Sequence, residues 1–300
     1  EERKSNAGRK RIDPLILFKM LVLQQLFNLS DEELEFQVND RRSFEEFVGL
    51  GVMNNIPDAT TVAFFRERLR KADVIEELFN QFEQHLRDQG LQARGGQIID
   101  ATLVPVPKQR NSREENKQIK AGRLPDGWDE NPNRLQQKDL DARWVKKNSI
   151  NHYGYKNSIC IDVEHGFIRR YAFTPANVHD SQMLPRLLDP ENRDDYVWGD
   201  SAYAGACFKA LLEAAGFKNC IHEKGSRNHP LSDEAQERNR VKSSIRALVE
   251  HVFGCMTTSM GGKLTRKIGL LRSEAWWGLR NLTFNLLHYV QGQYAVVMAA

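Results

Sequence analysis

No apolar run in this chain approaches the roughly eighteen residues that a bilayer-spanning helix requires. The longest candidate, Leu15 to Leu23, is interrupted by Lys19, so no membrane span is expected. The chain opens with charge instead of an apolar leader, so no secretory signal is read. It also opens without Met, which reads as a truncated N-terminus. Cysteine is scarce: Cys160, Cys207, Cys220 and Cys255 lie far apart and form no C-x-x-C pair. They read as reduced core thiols in a cytoplasmic protein. A strong net charge is missing too, at only +3 over 300 residues.

That small total conceals an uneven distribution. Residues 1–92 carry 13 Lys/Arg against 17 Asp/Glu, residues 106–147 carry 11 against 7, and residues 223–280 carry 11 against 6. Two basic segments suggest a polyanionic partner, and a merely solvated face is the alternative for either one alone. The apolar fraction of 40% is enough for a real core, in one large domain or two modest ones.

Residues 1–12 read as a flexible basic arm, with Arg3, Lys4, Arg9, Lys10 and Arg11. Asp13 and Pro14 then suit the cap and first turn of a helix running to about Asn28. Ser30 with Glu33, and Ser43 with Glu46, predict capping boxes for two more helices. A further helix is expected from a cap near Thr60, and another from about Asp73 to Arg87. Residues 13–92 are therefore expected to form an all-α N-terminal domain.

From residue 97 the pattern changes to strands: Gln97 to Val104, Lys156 to Val163, Phe167 to Phe173, Asp195 to Asp200 and Lys218 to His222. Residues 105–150 read as a long basic insertion loop, with one short helix near Asp139 to Lys147. Asp180 or Ser181 is expected to cap a short helix to Leu188. Ala206 to Ala215, Ser232 to Met256 and Ser273 to Val290 read as helices. Three strands joined by a hairpin and followed by α/β alternation give the order of an RNase H-like fold. The expected architecture is α/β, with a mixed five-stranded sheet and flanking helices over residues 93–300. In that topology the first and fourth strands are neighbours.

Three acids stand out against this frame. Asp100 lies in GGQIIDATLV, Asp200 ends DYVWGDSAYAG, and Glu250 sits within the amphipathic SSIRALVEHVFG. Alternation places Ile98, Asp100 and Thr102 on one face of the first strand. A carboxylate in such a run must be hydrogen-bonded, paired or metal-bound. Each acid alone also has an ordinary reading: a satisfied strand-end acid, a turn or cap aspartate, and a surface ion pair of Arg246 with Glu250. Together, three hard oxygen donors suit two Mg²⁺ or Mn²⁺ ions, with Arg246 one helical turn from Glu250 to hold a DNA phosphate. Asp162 is the main rival ligand.

The runs IIDATLVP, QKDLDARW, NHYGYKNSI, ANVHDSQ, VWGDSAYAG and VKSSIRALVEHVFG, followed by MGGKLTRKIGL, resemble bacterial transposases of the insertion-sequence-five family. RIDPLILFKMLVLQQLFNLSDEELEFQV and IPDATTVAFFRERL resemble that family's helical N-terminal domain, which implies roles in dimerisation and DNA-end binding for residues 13–92. The resemblance spans almost the whole chain. It implies a DDE transposase with Asp100, Asp200 and Glu250 as both catalytic triad and ligands of two Mg²⁺ or Mn²⁺ ions. It also implies metal-dependent cleavage at terminal inverted repeats and strand transfer of 3′-OH ends into target DNA. The partners would be double-stranded DNA and further copies of the chain, as a homodimer or higher oligomer on DNA in the bacterial cytoplasm. Arg246 matches the arginine of the related Tyr-x-x-Arg-x-x-x-Glu-x-x-x-x-x-x-Lys signature, but Ser243 and Thr257 replace its tyrosine and lysine. Lys263, Arg266 or Lys267 could substitute in gripping DNA. The alternatives are a catalytically inactive, transposase-derived DNA-binding protein, or an RNase H-fold nuclease without strand transfer.

Weaker DNA-contact candidates are His152, Tyr153, Tyr155 and Lys156, and the basic arm at Arg9, Lys10 and Arg11. Asp139 and Asp141 read as salt-bridge partners in the loop, and His179-Asp180 as a cap with a possible supporting role at the site. Trp128, Trp144 and Trp198 could stack on bases or pack in turns, while Trp276 and Trp277 are expected to pack the last helix.

Overall fold

A computed structural model of the chain describes residues 12–51, 56–226 and 229–299. Arg9, Lys10 and Arg11 lie outside the described residues. The chain divides into two compact units, residues 1–74 and 75–300.

In the first unit, α1 (Pro14–Phe27) begins where Asp13 accepts the Leu15 N–H at 2.8 Å. Next, α2 (Asp31–Asp40) begins where Ser30 accepts the Glu33 N–H at 3.0 Å. The expected cap at Ser43 is corrected. Helix α3 (Arg42–Val48) starts two residues earlier, with Arg41 in the cap position and no side-chain cap, and ties Glu46 to Arg42 at 2.9 Å. The cap of α4 (Ala59–Lys71) is Asp58, whose carboxylate accepts the Thr61 N–H. Leu17, Met20, Leu21, Leu34, Val38 and Val62 are buried. Arg66 forks onto Asp31 at 2.7 and 2.8 Å and reaches Gln24, pinning α4 to α2 and α1.

The second unit opens with α5 (Val74–Asp88), a helix that the sequence grouped with those before it. Then come β1 (Gln97–Pro105), α6 (Arg113–Lys120), α7 (Pro132–Gln136), β2 (Arg143–Lys147), β3 (Ile150–Asp162) and β4 (Ile168–Pro175). They are followed by α8 (Leu184–Leu187), β5 (Tyr196–Gly199), α9 (Ala206–Ala214), β6 (Lys218–Asn219), α10 (Asp233–Thr258) and α11 (Leu270–Ala299). The sheet runs β2-β3-β1-β5-β6, with β4 also paired to β3. Strand β3 is antiparallel to β1, β2 and β4, whereas β5 is parallel to both β1 and β6. Taken without β2, this is the RNase H-like order expected from the sequence, an α/β fold with flanking helices.

The insertion differs from the expected loop. Segment 139–147 ends in a strand, β2, not a helix, and β3 begins six residues before Lys156. Asn148 and Ser149 both take positive φ, 50° and 64°, which makes the tight turn of a hairpin. The hairpin signal was hidden because Asn-Ser is a weaker turn pair than Asn-Gly. Gly154, at φ 147°, lets this hairpin lie against β1, since a side chain there would collide with the Val104 carbonyl. Helix α6 carries a complete Ser112–Glu115 capping box. Glu115 also accepts the indole N–H of buried Trp128 at 3.0 Å. Trp128 is thus a small core of its own, not a stacking surface.

Asp139 and Asp141 accept no salt bridge among the described residues. Asp139 takes the Tyr155 hydroxyl at 2.7 and 2.8 Å and the N–H groups of Asp141, Ala142 and Gly269. Asp141 takes the Leu270 N–H. These two acids cap the start of α11 and tie it to the insertion and β3.

Candidate active site

The ladder of β1 with β5 ends at the pair Ile99 and Gly199. Asp100 and Asp200 are the next residue of each strand, so the parallel register sets them side by side. Asp200 leaves β5 as the cap of a 3₁₀ turn, accepting the Ala202 N–H at 2.8 Å. Asp100 accepts the N–H of Ala101 at 2.7 Å. Burial pushes its carboxyl up to about 6; Asp200 adds to the rise, while Arg246 and Lys147 oppose it.

Glu250 comes from α10, which packs across β1 and β5. Its side chain is 65% exposed and pairs with Arg246 at 3.4 Å. Thus Asp100 and Asp200 are gathered, while Glu250 stands apart on its helix, tied to an arginine close enough to act on Asp100. Among the described residues, no three His, Cys, Asp or Glu side chains converge as a metal cage.

Asp162 is not a rival ligand. It pairs with Gln97 at the far end of β1 and is fully buried. It accepts the N–H groups of His165 and Phe167 and the Nε of Arg169 at 2.8 Å. Arg169 also forks onto Glu83 at 3.0 Å through both oxygens. Lys156 is engaged internally, donating to the Val178 carbonyl and to Asp180, both at 2.7 Å. It thereby anchors the 3₁₀ turn 180–183, which His179 caps in place of the expected Asp180 or Ser181. Trp198 is buried in the sheet against Tyr196.

Of the three basic candidates after α10, Lys263 is bonded to the strand that carries Asp100 and feels its charge. Its ammonium donates to Thr102 Oγ1 at 2.8 Å, on the β1 face that carries Asp100. Burial lowers its pKa, and Lys147 and Arg280 lower it further. Lys267 lies over the Trp276 ring at 4.7 Å, and Arg266 is exposed. Ser243, in the signature's tyrosine position, contacts His222 Nε2 at 3.3 Å, and Thr257 turns its hydroxyl back to Phe253. Arg280, buried under Trp277, binds the carbonyls of Met256, Met260 and Gly262 with one nitrogen, at 2.9, 2.6 and 2.6 Å. It closes the end of α10 and fixes the turn that delivers Lys263.

Two neighbours escaped the sequence reading. His222, whose N–H bonds the Gly199 carbonyl, stands beside Asp200, and burial with Arg246 and Lys242 lowers its pKa. Its position at the end of a strand next to Asp200's was the available signal. Lys147, hidden in the unrecognised hairpin, acts on Asp100.

A family model described as Transposase DDE domain matches residues 92–286, and one described as Transposase domain (DUF772) matches residues 1–68. The transposase for insertion sequence element IS1106 of Neisseria meningitidis serogroup B is 31% identical over 229 residues, covering 74% of this chain and 75% of that one. The chain belongs to the DDE transposases of insertion sequences. Among solved structures, this transposase is similar to the piggyBac transposase in its synaptic complex with hairpin DNA, at 12% identity and TM-score 0.48 over 95% of this chain and 68% of that one. The Mos1 mariner paired-end complex with Mn aligns at 12% identity and TM-score 0.24, over 94% and 79%. No helix among the transposase's described residues is long and apolar enough to cross a membrane.

The donor set fits a hard divalent cation. Two adjacent aspartates offer only oxygen, and Asp100 is a largely buried carboxylate beside a second acid. A folded value near 6 against an ordinary 3.8 means that Asp100 favours the fold below about pH 4 and loses that contribution as pH rises to 6. In EDTA, Asp100→Asn is therefore expected to raise thermal stability at pH 7, by on the order of 2 kcal/mol, and to have little effect at pH 4. Equal effects at the two pH values in calorimetry would remove burial of the charge as the cause.

Proposed function

We propose that this transposase cuts DNA at the terminal inverted repeats of its insertion sequence and joins the freed 3′-OH ends to target DNA. Asp100, Asp200 and Glu250 are the acidic residues of that reaction. The observation that carries the reading is the parallel β1–β5 register, which sets Asp100 against Asp200 under helix α10. Mg²⁺ or Mn²⁺ ions held there, two in number, would activate the attacking water or 3′-hydroxyl and neutralise the leaving 3′-oxygen. The chain itself positions the phosphodiester. Arg246 offers a guanidinium beside the acids, and Lys263 offers an ammonium two residues along β1. With Glu250 exposed and only four residues from Arg246, a DNA phosphate that takes the arginine would free the carboxylate to join the pair.

We read residues 13–92 as the oligomerising element, because they carry 15 Asp/Glu against 8 Lys/Arg and repel a polyanion. The basic arm at Arg9, Lys10 and Arg11, together with Arg266 and Lys267, would supply phosphate contacts to double-stranded DNA.

The experiment uses labelled duplex carrying the element's ends, a plasmid target and Mg²⁺. Both nicking at the end and transfer of label into plasmid are expected. Cutting without transfer would make the chain a nuclease, and binding without cutting would make it a regulator.

A further inference from the structure

The ladder assigns a second DNA-contacting feature beside the acids. Asp100 pairs with Ile159, Thr102 with Asn157 and Val104 with Tyr155, and β2 sets Trp144 opposite Tyr153. Directly paired residues share a face and alternate residues repeat it, so Asp100, Thr102, Tyr153 and Trp144 all lie on one face of the sheet. Around the C-terminal end of β1 is a groove of about 500 Å³, lined by Val106, Lys108, Ile150, Tyr153 and Lys263 among others. Its floor is largely apolar, and its two ammonium groups come from separate segments of the chain. Lys108 lies over the Trp144 ring at 5.8 Å, and Trp144 meets Tyr153 with ring centroids 5.1 Å apart.

Two large apolar groups here are left open to solvent: Trp144 is 44% exposed and Ile150 61%. Ile150 directly follows the Asn148-Ser149 turn, at the tip of the hairpin. From Arg143 to Gly154 the hairpin holds Arg143, Lys146 and Lys147 and no acid. An aromatic platform, an apolar floor and cations at the rim together match the surface that unpaired nucleotides select, with bases stacking on rings and phosphates on lysines. A duplex would use the cations but would leave the apolar floor without an occupant.

We propose that the β2–β3 hairpin and this groove hold an unpaired stretch of the DNA strand that runs past the catalytic acids. Trp144 is the stacking platform, and Lys108 and Lys263 take phosphates. Lys263, which lines the groove, bonds Thr102, two residues and about 7 Å along the strand from Asp100, so the groove begins within a nucleotide's reach of the acids. The assignment rests on the acids being the cutting site for its placement, and its test does not require cutting.

Two fluorescent probes of one arbitrary sequence are compared in EDTA with the full chain: a blunt duplex, and the same duplex with a 3′ tail of about four thymidines. The tailed probe is expected to bind roughly ten-fold more tightly. Trp144→Ala and Ile150→Asp, both at exposed positions, should each bring that ratio close to one. A wild-type chain without preference, or a ratio that persists in either variant, overturns the proposal. Because EDTA silences cleavage, failure of the end-cutting assay would leave this ratio untouched, and loss of the ratio would leave the cutting assay standing.

Discussion

Asp100→Asn is expected to reduce DNA cleavage by at least about a thousand-fold while leaving end binding within a few-fold of wild type. The substitution keeps the shape of the side chain and one oxygen. It removes the charge that a divalent cation needs, and several kcal/mol of charge stabilisation at a transferring phosphate is worth about that factor. Asp200→Asn should behave alike, since the parallel register makes the two acids neighbours. Glu250→Gln tests the member that stands apart with Arg246. If it too abolishes cutting with binding intact, the helix must deliver its carboxylate once DNA is bound. Single-turnover cleavage of labelled end duplex measures all three, and near-wild-type cutting by any one variant removes that residue from the site.

Arg169→Met should produce the largest loss of stability. Arg169 and Asp162 are both without solvent exposure, and Arg169 bonds Asp162, Glu83 and the Leu91 carbonyl. Burial already raises the Glu83 pKa, with the two arginines Arg169 and Arg87 holding it down. Removing the guanidinium leaves buried Asp162 without its cation and Glu83 with Arg87 alone, at a cost of about 3–5 kcal/mol. For a unit of this size that corresponds to a fall in melting temperature of roughly 10 °C. The deficit should shrink as pH is lowered towards 5, because Glu83, whose pKa burial already raises, loses the Arg169 charge that opposes that rise and takes up a proton in the fold first. Calorimetry at pH 5 and pH 7 reads both effects. A loss below about 1 kcal/mol would mean that the network adds little to stability.

Local signals made much of the second unit legible. Alternation in QIIDATLV gave β1 and the face of Asp100, and Ser232 gave the start of α10. The strand order then made Asp100 and Asp200 neighbours without any knowledge of distance. What stayed hidden depended on partners remote in sequence. Lys156 looks available in the sequence, but Asp180 and Val178 accept its hydrogen bonds. Asp162 looked like a ligand until Arg169 claimed it. The β2 strand was missed because three basic residues in RWVKK disguise it as a loop, and only pairing with Ile150–Gly154 makes it a strand. Lys263 could be offered only as one of three substitutes, since the clamp of Arg280 on the end of α10 has no local sequence mark.

The unbroken pairing from Gln97–Asp162 to Pro105–Gly154 has a practical corollary. Because strand side chains alternate, adding or deleting one residue within Tyr155–Ile161 would slip β3 by one and send Ile159 and its neighbours to the opposite side of the sheet. The hairpin tip at Asn148-Ser149 lies outside that ladder. Extra residues spliced there would lengthen the finger and leave the carboxylate pair in place, which makes the tip the natural position for a reporter label in this half of the molecule.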